Sequence, residues 1–155
     1  MDISIIFPNQ IFEKSKLLDE STKIYLIEEY LFFNQFKFHK QKILFHRMTM
    51  KSYERFLQKN SFDIKYIDST EKFSDIRSFI ENLDSNINSI KIYDPVDNWL
   101  SKRIIDTCKL KNINVEVYDN PLFINKNEDL SSFFRSNKKK FFQTSFYKQQ
   151  RLKLD

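Results

Sequence analysis

The 155 residues contain no glycine. That excludes a P-loop and a GxGxxG turn, so no nucleotide phosphate is cradled by glycine here, and no serine can sit in a GxSxG elbow. It also sets a local demand: where a helix end or turn needs a left-handed backbone, Asn, Asp or Ser must supply it. Cysteine occurs once, at Cys108. One thiol cannot form an internal disulfide, a cysteine zinc site or an iron–sulfur cluster held by this chain alone. Lying among apolar residues of a predicted helix, Cys108 reads as a small buried hydrophobe, not a nucleophile. The two histidines, His39 and His46, are too widely spaced to share a metal ion, being about 10 Å apart along one helix. No apolar run approaches the ~18 residues of a membrane span. The start, MDISIIFPNQ, lacks the basic stretch and small-residue cleavage site of a signal peptide. The expected location is the cytoplasm, with no membrane partner.

What is present fits one globular domain: 41% hydrophobic residues, 30% charged, and 17 phenylalanines. The net charge of +5 is unevenly placed. Residues 131–155 hold seven Lys/Arg (Arg135, Lys138, Lys139, Lys140, Lys148, Arg151, Lys153) and one acid, Asp155. Residues 1–130 are nearly neutral, with 19 bases against 20 acids. A basic tail mixed with Phe142 and Phe146 can meet nucleic acid, dock on a neighbouring domain, or remain a solvated helix.

Strand and helix patterns alternate along the chain. Apolar strands are expected at Ile3–Phe7, Lys23–Ile27, Phe62–Ile67, Ile90–Tyr93 and Ile113–Tyr118. A short helix is expected over Phe12–Leu18. A long one is expected over Phe38–Lys59, its apolar side made by Phe45, Met48, Tyr53, Phe56 and Leu57. A helix capped by Ser69 or Thr70 should run to about Leu83, and one capped by Asp97 or Asn98 should run from Trp99 to Leu110. Two more helical pieces follow, near Asp129–Arg135 and Phe141–Leu154. This alternation predicts a Rossmann-like α/β domain: a doubly wound, five-stranded parallel sheet of order 3-2-1-4-5 with helices on both faces. Residues 1–126 form that domain and 127–155 the helical tail.

In such a sheet the chain reverses between strands 1 and 4, and a ligand crevice opens at their carboxyl ends. Pro8, Asn9 and Gln10 lie on one side and Tyr93-Asp94-Pro95 on the other, with Glu28-Glu29 ending strand 2 nearby. Adjacent residues of a strand point to opposite sides, so only one of the two acids can face a ligand. Hydrogen bonding to a ligand, or capping the next segment, suits them better than paired acid–base catalysis. His39, Lys42 and His46 share one helix face, as an anion site, a domain-facing stripe or a solvated one. Phe32, Phe33, Phe36, Phe38 and Trp99 can stack on a flat ring or fill core.

These pieces resemble, in order, the N-terminal domain of the deoxyribodipyrimidine photolyase-related proteins, a prokaryotic branch of the photolyase/cryptochrome family. IIFPNQIF is similar to the first strand and turn. YLIEEYLFFNQFKFHKQKILFHRMTMKSYERFL resembles the second strand and FHKQK helix. FDIKYID, YDPVDNWLSKRI and VYDNPLFI resemble the third strand, the exit from the fourth, and the fifth. KKKFFQTSFYKQQRLKL resembles the connection into a second domain. The FHKQK and FFxTxFYxxxR blocks are the specific ones.

The resemblance implies a two-domain parent. Its second, all-helical domain would bind FAD, and in many members an iron–sulfur cluster, and would use blue light to split a pyrimidine lesion in DNA. The present half would hold an antenna chromophore, a ribolumazine in several relatives, lined by Pro8, Asn9, Gln10, Glu28 and Phe32. His39, Lys42 and His46 would face it or the FAD domain. Asn9 stands where the family often has aspartate, and Phe32 where ribolumazine binders tend to place glutamate. The alternatives are a crevice filled by Phe32, a stand-alone small-molecule or interaction module, and a domain of a signalling cryptochrome. No catalytic residue is expected in these 155 residues. The FAD domain would be encoded beyond Asp155, and damaged DNA would be met through the parent. A lone half is expected to expose an apolar docking surface and self-associate.

Overall fold

A computed structural model describes residues 1–154. Asp155, the only acid of residues 131–155, lies outside the described residues. The chain divides into two compact parts, Met1–Asn120 and Pro121–Asp155.

The first part holds five strands: β1 (Asp2–Ile6), β2 (Lys23–Ile27), β3 (Ile64–Ile67), β4 (Ser89–Tyr93) and β5 (Asn114–Tyr118). They form one parallel sheet of order β3-β2-β1-β4-β5. Period-two alternation sends successive side chains to opposite faces. Ile3 and Ile5 of β1, Ile27 of β2 and Ile90 and Ile92 of β4 pack with Ile76, Phe79 and Ile80 of α3 (Ile76–Glu81) and Leu100, Ile104 and Cys108 of α4 (Asn98–Leu110). Ile6, Ile24, Leu26 and Tyr93 face the other way and pack with Met50, Tyr53 and Leu57 of α2 (Lys40–Lys59). Both faces are therefore covered, which is why the central strands are mostly apolar, broken only by Ser4 in β1 and Lys91 in β4 within Ile3–Phe7 and Ile90–Tyr93.

Three local expectations are corrected. Phe12–Leu18 is not helical but a run of turns and bends. Long-range bonds fix it instead: the Tyr93 hydroxyl accepts from the Lys16 backbone N–H at 2.8 Å, and the Tyr53 hydroxyl donates to the Phe12 carbonyl at 2.6 Å. The cap of α3 is Asp75, accepting from Arg77 N, and not Ser69 or Thr70. On α2, Phe45 and Met48 are 66% and 62% exposed, and the buried stripe is Met50, Tyr53 and Leu57. A one-turn helix, α1 (Tyr30–Phe33), stands between β2 and α2.

Without glycine, Ser61 (φ 63°) and Asn112 (φ 55°) take the left-handed positions closing α2 and α4. The backbone N–H groups that follow them return to Leu57 and Cys108, satisfying helix-end carbonyls. Val96, between β4 and α4, is also left-handed (φ 58°), a costly state for a β-branched residue.

The second part contains α5 (Asn127–Ser131) and α6 (Gln143–Leu154), around a cluster of Phe133, Phe134, Phe141 and Phe146 with ring centroids 5.0–6.3 Å apart. Among the described residues no helix is long and apolar enough to cross a membrane.

Candidate functional site

The order in which strands are added reverses between β1 and β4, which run parallel, and the turn Phe7–Gln10 leaves β1 there. Gln10 N donates to Phe7 O at 2.9 Å, which curls the chain back under the strand ends. Gln10 is fully buried. Its Nε2 donates to the carbonyls of Tyr93 (3.3 Å) and Asp94 (3.0 Å), tying the end of β1 to the end of β4. Asn120 Nδ2 donates to the same Asp94 carbonyl at 2.8 Å. Pro8 and Pro95 are buried on the two sides of this junction. Gln10 Oε1 and Asn9 Oδ1 are both buried and have no hydrogen-bond partner. A buried acceptor left unmade costs about 1–3 kcal/mol, so each of these two oxygens calls for a donor. The left-handed Val96, whose N–H donates to Asp94 Oδ1 at 2.8 Å, sits at the same junction.

Glu28 and Glu29 diverge as strand geometry requires. Glu28 is fully buried and its carboxylate is fully engaged. Arg47 of α2 grips both oxygens, Nε to Oε1 at 2.8 Å and Nη2 to Oε2. The Tyr66 hydroxyl donates to Oε1 at 2.5 Å and Ser69 N to Oε2 at 2.9 Å. Arg47 also reaches Asp68 Oδ1 at 3.0 Å and Ser69 Oγ at 2.9 Å. Burial pushes the Glu28 carboxyl up, but these hydrogen bonds and the Arg47 charge outweigh it and hold the group below its ordinary range. The Glu28 hydrogen bonds and charge raise Arg47 in turn. Glu28 thus locks α2 and the β3 exit onto β2 and presents no free oxygen to a ligand.

Glu29 caps instead. Its Oε2 accepts from Leu31 N at 2.5 Å and its Oε1 from Ile76 N at 3.4 Å, so one carboxyl serves the starts of α1 and α3. Burial raises its pKa from 4.5 to about 7, against the two backbone donors.

The remaining sequence-derived residues separate. Phe32 is half-buried, packs on the core face shared by β1 and β4, and lies 6.4 Å from the His46 ring. His46 also neighbours Phe33 and Phe45, and burial followed by the Lys42 charge lowers its pKa. His39 is exposed and caps α2, its Nδ1 accepting from Gln41 N at 3.3 Å. Lys42 is exposed and rests its Nζ 3.8 Å over the Phe38 ring. His39 and Lys42 therefore stand at the free start of α2, while His46 joins the phenylalanines. Arg47 is the residue that sequence reading missed. Its only signal is a base on the helix after a strand ending in acids.

A family model described as deoxyribodipyrimidine photo-lyase-related protein matches residues 4–155. An uncharacterized protein of Acanthamoeba polyphaga mimivirus is 35% identical over 164 aligned residues, covering 99% of this chain and 83% of the viral protein.

Proposed function

The chain belongs to the deoxyribodipyrimidine photo-lyase-related protein family, and from that premise we propose that it is the antenna-type α/β domain of a photolyase-like flavoprotein, with a small heterocyclic chromophore held where β1 and β4 part. The observation that carries this reading is the pair of buried, unpartnered amide oxygens, Asn9 Oδ1 and Gln10 Oε1. They ask for a ligand that brings hydrogen-bond donors. A ribolumazine has them, in its ring N–H and ribityl hydroxyls. Asn9 and Gln10 would hold those donors, and Pro8 and Phe32 would supply apolar contact. Glu28 acts indirectly, by fixing α2 through Arg47. Bound, such a chromophore absorbs light and passes its excitation to FAD. FAD itself, light-driven lesion repair and contact with damaged DNA belong in this reading to a helical partner domain. Titrating the full chain with ribolumazine tests it. A red-shifted, quencher-protected chromophore is expected, and Asn9→Ala should weaken binding about fivefold for one lost hydrogen bond. No spectral change up to high micromolar ligand would overturn it.

One observation favours a second reading, a stand-alone small-molecule module on the same fold. The viral relative extends beyond the match by less than a fifth of its length, too little for a helical flavin domain. Translating the gene past Asp155 separates the two. A few hundred helix-rich residues support the antenna domain, and a stop codon supports the module.

A further inference from the structure

The part from Pro121 onward carries chemistry that the α/β site does not use. Between Leu130 and Leu154 there are seven bases and no acid. Some are engaged: Lys138 lies 3.8 Å over the Phe133 ring, Arg135 Nε donates to Ser132 O at 2.8 Å, and Lys153 pairs with Asp129 at 2.7 Å. Lys139, Lys140 and Lys148 are exposed and enter no salt bridge among the described residues. Two rings project beside them: Phe142 is 62% exposed and Tyr147 64%. Phe133, Phe134, Phe141 and Phe146 do the opposite and stack on one another, so Phe142 and Tyr147 are the rings left over between Leu130 and Leu154. A recess on the same part is lined by Phe133 and by Ser132, Arg135, Asn137, Lys138 and Gln149, whose side chains carry donors.

Three partners suit exposed bases, and the arrangement separates them. A membrane surface needs apolar residues sorted to one side of a helix. In α6 the apolar and charged residues are scattered around the axis, and none is buried. An acidic protein would use the charges, but it would bury rings gathered into one central apolar patch, whereas Phe142 and Tyr147 each stand within two residues of an exposed lysine. Single-stranded nucleic acid uses both, because its phosphates need cations and its base faces are open for stacking, which a duplex denies. We infer that residues 121–154 are a single-stranded nucleic-acid-binding element, with Lys139, Lys140 and Lys148 meeting phosphates and Phe142 and Tyr147 stacking on bases. The inference rests on the charge and ring pattern alone and stands whether or not the α/β domain holds a chromophore.

The test uses the full chain and a fluorescent oligo-dT, with oligo-U, a duplex of equal length and heparin as competitors. Three phosphate contacts give a slope of about −2 in log affinity against log salt, so affinity should fall about twentyfold from 50 to 200 mM salt. Lys139→Gln, Lys140→Gln and Lys148→Gln combined should flatten that slope. Phe142→Ala and Tyr147→Ala should each cost at least about fivefold while leaving the slope unchanged. Both sets alter exposed residues, and an unchanged circular dichroism spectrum checks that the fold persists. Oligo-U should compete as well as oligo-dT, since stacking does not read the sugar. No binding at 50 mM salt, heparin competing equally with rings that do not matter, or a duplex bound as tightly as the single strand would each overturn the inference.

Discussion

Arg47→Leu should be the most informative single substitution in the α/β domain. Glu28 is fully buried and relies on Arg47 for two of its four hydrogen bonds and for its ion pair. Breaking a buried pair from one side costs about 3–5 kcal/mol, because the remaining charge is stranded. Arg47 is 37% exposed, and Tyr66 and Ser69 N still hold Glu28, so the lower end, about 3 kcal/mol, applies. At about 2–4 °C per kcal/mol for a domain of this size, the melting midpoint should drop by roughly 6–12 °C at pH 7.5. The pH response gives the sharper check. In the native protein the Glu28 pKa is held below 4.5, so its contribution is present above that pH and is lost only in acid. Without the guanidinium, burial dominates and the pKa rises above 4.5. The variant's deficit should then shrink as pH falls from 7.5 to 5. Urea melts followed by far-ultraviolet circular dichroism at both pH values measure it, together with the double variant Glu28→Leu/Arg47→Leu. The double variant should recover most of the loss. A deficit under about 1 kcal/mol, a deficit independent of pH, or strictly additive single losses would refute the reasoning.

Glu29 should give the wild type an unusual slope. Its folded pKa, raised from 4.5 to about 7, makes its contribution full below 4.5 and progressively lost as pH rises to 7, by about 3 kcal/mol. Stability should therefore increase from pH 7.5 to 5, and Glu29→Gln should flatten this in the same melts. Cys108 is buried and its thiol is pushed up to about 12, so a thiol reagent should leave it untouched in native protein and label it fully in urea. Val96→Asn should raise stability by about 1 kcal/mol by relieving a left-handed valine, as read from the urea midpoint.

The sheet was legible because its strands are short and largely apolar, with β1 and β4 closed by Pro8-Asn9 and Asp94-Pro95, and the chain alternates strand with helix. Its order and the junction of β1 with β4 followed from topology. Gln10 was legible from that junction, through its place two residues after Pro8. What failed were short-range readings that tertiary bonds override. Phe12–Leu18 has helix-like spacing, yet its backbone is claimed by Tyr53 and Tyr93 from far along the chain. Phe45 and Met48 looked like core because they are apolar, but only the half of α2 from Met50 onward lies over the sheet. Ser69 could not cap α3 because Glu28 and Arg47 already engage it. Arg47 left no motif. A side chain that links a strand end to a helix 19 residues later is visible only once both are folded.

The central position of β1 also governs how the chain can fold. Ile3 pairs with Lys23 on one side but with Ile90 on the other. No hairpin is available, and every strand pairing must close a long loop before it is rewarded. On the ribosome, the first strand made is thus among the last to be completed. Ile3, Ile5 and Phe7 wait uncovered until α3, β4 and α4 have emerged. That interval is when a nascent chain this rich in phenylalanine is most open to aggregation and to capture by chaperones.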